Sequence, residues 1–169
     1  THPGKKLLFM GQEFAEDREW DENRDINWSF TRDTWHRDVL LSVQRLLQIY
    51  REYPVLYKDS QDSRTLEWIN RNDADRGIMA YIRKNPSNYD GALLVIINTT
   101  PVQYNGYSCG APKEGYYQRI FSTYDTTPGT GEKSEEIPPL TAVQELCDGY
   151  GYRITYDLRP NEAVILTIR

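Results

Sequence analysis

Beyond about residue 60 the chain consists of short strand-like runs cut by turn chemistry, and this pattern constrains its fold more than any other feature. Leu66, Trp68 and Ile69 sit in the first run. Residues 70–75 supply Asn and Asp for a turn, and residues 78–83 form the second run, so the two read as a hairpin. Residues 86–91 make the next turn and lead into a β-branched apolar run over 93–97. Further runs lie near Tyr107 and over 116–122, 152–156 and 163–168, the last two joined through Arg159, Pro160 and Asn161. Residues 125–139 are a polar excursion containing Gly and Pro. About seven short strands at near-regular spacing, with no internal repeat, predict a mainly β chain folded as an antiparallel β-sandwich.

The first sixty residues are organised differently. Leu7, Leu8, Phe9 and Met10 are wholly apolar and end at Gly11, as in a parallel strand buried on both faces. A lone parallel strand has no ladder, so this reading expects its neighbours to lie outside the sequence. The first residue, Thr1 rather than Met, suggests a processed, trimmed or cloned fragment. Between Glu13 and Asp25 seven acids stand against two bases, with Phe14 and Trp20 among them. No period emerges there, which predicts a long irregular loop with one helical turn at most, and loops of that length commonly carry function. Trp35, Val39, Val43, Leu46, Leu47 and Tyr50 then recur at spacings of three and four, widened by Leu40 and Ile49. That stripe predicts an amphipathic helix over about 34–52, capped by Asp33 and stopped before Pro54. The polar residues 58–64 read as a linker.

Composition excludes several classes. Twenty bases against 25 acids, a net charge of −5, argue against a nucleic-acid partner. No apolar run reaches the length of a membrane span, and the N-terminus lacks the cleavage pattern of a signal peptide. Cys109 and Cys147 are too few to staple a chain of this size, which favours a reducing, cytoplasmic compartment. His2 and His36 are not spaced as metal ligands, so neither a metal nor a cofactor is expected. Residues 129–134 resemble the tail of a phosphate-binding loop, but Glu132 separates Gly131 from Lys133 and the segment reads as surface loop. Asn27 and Asn98 begin glycosylation acceptor triplets, which without a secretory signal are background.

The carboxylates and aromatics suggest a sugar ligand. Glycoside chemistry needs two acids facing each other across a sugar. Glu13 follows the strand-like run that ends near Gly11 and Gln12, the address of a barrel's functional residues, while no second acid stands at another strand end. Trp20 and Trp28 can stack on sugar faces or pack beneath the loop. Tyr104, Tyr107, Tyr116 and Tyr117 offer sugar platforms or, more simply, sheet packing.

The run from His2 through Lys5, Lys6, Gly11, Gln12 and Glu13 to Phe14 resembles the C-terminal portion of bacterial 1,4-alpha-glucan (glycogen) branching enzymes, members of the alpha-amylase superfamily. The likeness continues through Glu19 and Trp20, Asp25 to Trp28, His36 and Arg37, and Pro54 to Leu56. It extends through Leu66-Glu67-Trp68-Ile69, Asn72-Asp73-Ala74-Asp75, Asn98-Thr99-Thr100-Pro101 and Tyr107 to Pro112, then Gly115-Tyr116-Tyr117. Departures are Ala15 where the family has Gly, Ser122 to Asp125 at its Asn-Ser-Asp segment, a shortened turn over 128–131, and Asp157 to Pro160 near the final strand.

The resemblance implies that residues 1–58 are the last strand, loop and helix of a truncated (β/α)8 barrel. Residues 59–169 would be the all-β domain beside it. The family cleaves an alpha-1,4 glucan through a covalent glycosyl-enzyme intermediate and transfers the segment to a 6-hydroxyl. Its catalytic carboxylates would lie upstream of Thr1, so no residue here is assigned a catalytic role. Gln12, Glu13 and Trp20 would border the cleft and position glucan or loop. The implied partners are an alpha-glucan and the barrel of the same chain. The competing reading is a non-enzymatic glucan-binding or structural β-sandwich module.

Overall fold

The computed structural model describes residues 1–70, 73–125 and 136–169. The chain divides into two compact units. One comprises Thr1–Gly4, Tyr53–Ser122 and Ile137–Arg169; the other is Lys5–Glu52 with the described part of Thr123–Glu136. The shortened turn at 128–131, the residues 129–134 and Asn72 lie outside the described residues.

The first unit is built from strands. Among the described residues these are β1 (Leu66–Asn70), β2 (Ile78–Arg83), β3 (Leu93–Asn98), β4 (Tyr104–Ala111), β5 (Tyr116–Ser122), β6 (Leu140–Thr141), β7 (Tyr152–Leu158) and β8 (Ala163–Ile168). They form a six-stranded sheet in the order β1-β2-β3-β8-β5-β6 and a two-stranded sheet of β4 and β7. Every pairing is antiparallel. The mainly β, antiparallel expectation holds, and most strands fall where turn chemistry placed them. β4 is longer than the weak run near Tyr107 suggested. β6 had no sequence signal, because two residues are too short for a period to appear.

The core follows from side-chain alternation. Ile78, Ala80 and Ile82 of β2, Leu94 and Ile96 of β3, and Val164, Leu166 and Ile168 of β8 share one cluster with Tyr107, Cys109, Ala111, Ile154, Tyr156 and Leu158 from the two-stranded sheet. The opposite faces of β2, β3 and β8 are also buried, at Tyr81, Arg83, Leu93, Val95 and Ile165. This explains why residues 93–97 read as a continuous apolar run rather than an alternating one. Arg83 is fully buried, and its guanidinium donates to the Val55 carbonyl at 2.9 Å and the Thr1 carbonyl at 3.2 Å.

Two buried polar side chains tie the loops at one end of the sandwich. Asn98 Nδ2 donates to the carbonyls of Val102 (2.7 Å) and Arg159 (2.8 Å), while its Oδ1 accepts from Thr100 N and Oγ1. With 1 % exposure it organises a turn and offers no acceptor for glycosylation. Glu162, equally buried, accepts from Ser122 Oγ, from the Tyr156 hydroxyl at 3.0 Å and from Arg159 N at 2.8 Å.

In the second unit α1 (Thr34–Glu52) occupies the expected residues. Asp33 caps it, its Oδ1 accepting from Trp35 N at 2.9 Å. Ile49 of the apolar stripe is buried, but Trp35, Leu46 and Leu47 remain exposed. A 3₁₀ turn at Trp28–Arg32, capped by Asn27, precedes the helix. Sequence periodicity missed it, since five residues cannot display a helical stripe. Leu7, Leu8, Phe9 and Met10 form no ladder among the described residues, as expected of a strand whose neighbours lie outside the sequence, and Leu7 is 81 % exposed rather than buried on both faces. A strand exists only by hydrogen bonding to a neighbour, and no described segment lies alongside to provide one.

Candidate functional site

Gln12 and Glu13 share one 3₁₀ turn, Gln12–Phe14, flanked by left-handed backbone at Gly11 (φ 87) and Ala15 (φ 53). Gly11 is required there twice over. Its φ strains any other residue, and a Cβ would stand 2.7 Å from the Glu16 carboxylate. Phe14 is fully buried and packs on Trp28 at 5.0 Å, while its carbonyl bonds to His36 Nδ1 at 2.9 Å. The turn is therefore pinned from below by Phe14. Gln12 is exposed above it and Glu13 half-buried. Gln12 Oε1 accepts from Phe9 N at 3.2 Å, which orients its amide.

Trp20 stands apart from this pair. Its ring meets Phe9 edge-on at 5.5 Å and remains 54 % exposed. It lines a shallow dent of only about 10 Å³ with Glu19, Asp21, Arg24 and Asp25; Gln12 and Glu13 are not among the lining residues. Glu16 braces the loop beneath, its Oε1 accepting from Arg18 Nη2 at 2.6 Å and its Oε2 from Asn27 N at 3.4 Å. Trp28 rests against Phe14 on one side and remains 55 % exposed, so its ring packs on the turn and still presents a face to solvent.

The first unit carries a second concave surface that sequence reading did not single out. Trp68 on β1, packed edge-on at 5.5 Å against Tyr81 opposite it on β2, lines an open hollow of about 380 Å³ together with Asn70, Asp73, Met79 and Thr99. Trp68 and Met79 are exposed at 36 % and 39 %. Below them Asp73 is buried, ion-paired with Arg76 at 2.6 Å and bonded by the Tyr107 hydroxyl at 3.2 Å. Gly77, at φ 62, lets the chain pass against Thr99 and Thr100, where Thr99 Oγ1 donates to the Gly77 carbonyl at 2.8 Å. An exposed Trp beside amide, carboxylate and hydroxyl groups can hold a polyol by stacking and hydrogen bonds. The sequence signal was Trp68 at an outward strand position. Only the fold shows that Asp73 and Thr99 stand beside it.

The tyrosine pairs resolve by alternation. Tyr107 and Tyr117 point inward and are buried, and Tyr117 donates to the Lys113 carbonyl at 2.9 Å. Tyr116 is 58 % exposed, and Tyr104 is tied to the Arg76 carbonyl at 3.0 Å. Burial pushes the Tyr117 phenol up to about 12. A separate cluster surrounds Glu67, which accepts from Tyr150 (2.5 Å), Tyr89 (2.8 Å) and Lys84 (3.0 Å). Burial pushes its carboxyl up, but the bonds from Tyr150, Tyr89 and Lys84 outweigh burial and hold it below the usual glutamate value.

Residues 68–169 match the family model described as the alpha amylase C-terminal all-beta domain. Over its length the chain is similar to 1,4-alpha-glucan branching enzymes. It is 36 % identical over 168 residues to that of Butyrivibrio fibrisolvens, covering 99 % of this chain and 26 % of the relative. It is 36 % identical over 167 residues to that of Deinococcus radiodurans, covering 98 % and 23 %. To 1,4-alpha-glucan branching enzyme GlgB 1 of Xanthomonas euvesicatoria pv. vesicatoria the identity is 34 % over 167 residues, covering 99 % and 22 %. The chain thus spans about a quarter of the length of these relatives. With its antiparallel sheets closed over one core and its sequence matched from Trp68 to Arg169, the chain belongs to the alpha-amylase C-terminal all-beta domain family.

Proposed function

We propose that this chain serves as the C-terminal part of a glucan branching enzyme. Such an enzyme cuts an alpha-1,4 linkage and transfers the released segment to a 6-hydroxyl, making an alpha-1,6 branch. The observation that carries the reading is the 36 % identity running through both units, over 99 % of the chain. In this reading residues 1–58 complete a catalytic barrel and residues 59–169 form the all-β domain beside it. The retaining carboxylates belong to the barrel, and none is assigned here. Gln12 and Glu13, lifted on the turn pinned by Phe14, border the cleft and position glucan without moving a proton. Trp20 offers a stacking face from the same loop. Two free cysteines, Cys109 and Cys147, accord with a reducing cytoplasm.

The test is an assay of branching on amylose, read as alpha-1,6 linkages by proton NMR. The 169-residue chain alone is expected to be inactive. Joined to the upstream three quarters of the Butyrivibrio fibrisolvens enzyme it should branch, and Gln12→Ala or Glu13→Gln in that chimera should raise KM more than they lower kcat. Branching by the isolated chain, or an inactive chimera that folds, would overturn the proposal.

The hollow at Trp68 favours a second role, glucan binding by the β-unit itself. Titration of the isolated chain with maltoheptaose should then saturate, and Trp68→Ala should weaken binding about tenfold. A flat titration leaves a purely structural domain.

A further inference from the structure

We propose that Asn105 is this chain's site of spontaneous deamidation, and that Asp157 restrains the reaction by holding the attacking nitrogen. The chain contains one Asn-Gly pair, Asn105-Gly106. Glycine after asparagine removes the side chain that would hinder attack of the backbone nitrogen on the amide carbon. Both residues are exposed, within β4 where the register with β7 slips. Tyr104 pairs with Leu158 and Tyr107 with Tyr156, so Asn105 and Gly106 together face Asp157 alone. This is a bulge with Gly106 in the left-handed region at φ 68.

The two reacting groups are held in opposite senses. Gln103 Nε2 donates to Asn105 Oδ1 at 2.7 Å, which draws electrons from Cγ and makes it more electrophilic. The Gly106 N–H donates to Asp157 Oδ1 at 2.7 Å. That proton must leave before the nitrogen can attack, and a carboxylate in contact with it opposes formation of a second anion there. The same bond keeps the nitrogen directed at Asp157 rather than at Asn105 Cγ.

When the bond opens, Gly106 N attacks Asn105 Cγ. The N–Cγ bond forms, the Cγ–Nδ2 bond breaks, and Nδ2 leaves as ammonia with the proton from Gly106. Water then opens the succinimide at Cγ to give aspartate, or at the main-chain carbonyl to give isoaspartate. Either product adds a negative charge opposite Asp157. Isoaspartate also inserts a methylene into the main chain within the bulge, which displaces Tyr104 from Leu158 and from the Arg76 carbonyl that its hydroxyl reaches.

The experiment incubates the folded chain at mildly alkaline pH and follows each Asn peptide by mass spectrometry, with isoaspartate separated by chromatography. Parent, Asp157→Asn and Asp157→Ser chains are compared, each folded and in urea. Asp157 is exposed, so neither substitution removes core packing. Asn105 is expected to deamidate slowly in the folded parent and about tenfold faster in both variants. The three chains should converge in urea, where the bond is absent. The peptides of Asn88 and Asn161 report on unfolding and should be unchanged between folded parent and variants. Equal Asn105 rates in folded parent and variants would overturn the restraint by Asp157. An Asn105 that reacts no faster than Asn88 in the folded variants would overturn the site. Acceleration at all three asparagines would assign the effect to unfolding and overturn the proposal as well.

Discussion

At the scale of single residues, the side chains that distinguish this molecule are polar groups whose partners come from distant positions. Glu67 collects the hydroxyls of Tyr89 and Tyr150 and the Lys84 ammonium. Its carboxyl is held below the ordinary 4.5, so the stability it contributes is present above that pH and lost as pH falls through its lowered folded value. Glu67→Gln should therefore cost about 1 kcal/mol near neutrality and progressively less in acid, as read by urea unfolding across pH. The phenols shift the other way. Burial, and then the Glu67 carboxylate beside it, pushes Tyr89 up to about 12. Burial does the same to Tyr117 and Tyr156. A raised phenol stabilises the fold below the ordinary value of 10.0, and that contribution disappears as pH climbs toward 12. Phenolate absorbance of the folded chain should thus lag that of the urea-unfolded chain between these two values. Coincident titrations would show that these phenols are not sequestered.

At the scale of elements, turns decide where strands can meet. Gly115 precedes β5 with φ 123, and a Cβ there would overlap the Arg169 carbonyl, which accepts from Tyr116 N at 3.1 Å. Gly115→Ala should cost about 2–3 kcal/mol and loosen the end of β8, visible as faster amide exchange at Arg169 and Ile168. An unchanged Tm would refute the argument. Much of this scale was legible beforehand: α1 and its Asp33 cap, the hairpin of β1 and β2, and the apolar β3 each announce themselves within a few residues. The 3₁₀ turn at Trp28–Arg32 and the two-residue β6 did not, because they are shorter than one period. The candidate site was legible in part. Gln12 and Glu13 do share one turn, but their separation from the dent at Trp20, and the whole of the hollow at Trp68, depend on residues the chain brings together only on folding.

For the molecule as a whole, the buried guanidinium of Arg83 bears on where the β-unit begins. It donates to the carbonyls of Val55 and Thr1, so a chain started at residue 59 would remove both of these acceptors from a buried charge. Residues 53–169 should unfold at higher urea than 59–169, by about 2–4 kcal/mol, because the longer chain keeps Val55. Equal midpoints would mean that water replaces the lost carbonyls. Hydrophobic spacing and turn residues act between neighbours, and for that reason the amino-acid sequence alone determined the helix, most of the strands, the antiparallel β class and the likeness to branching enzymes. The tertiary structure decided which strands pair, as β3 with β8 rather than with β4. It also decided that Tyr117 packs inside while Tyr116 faces out, and that Asp157 holds the Gly106 N–H. These depend on register and on contacts between residues far apart in the chain, which no local pattern encodes.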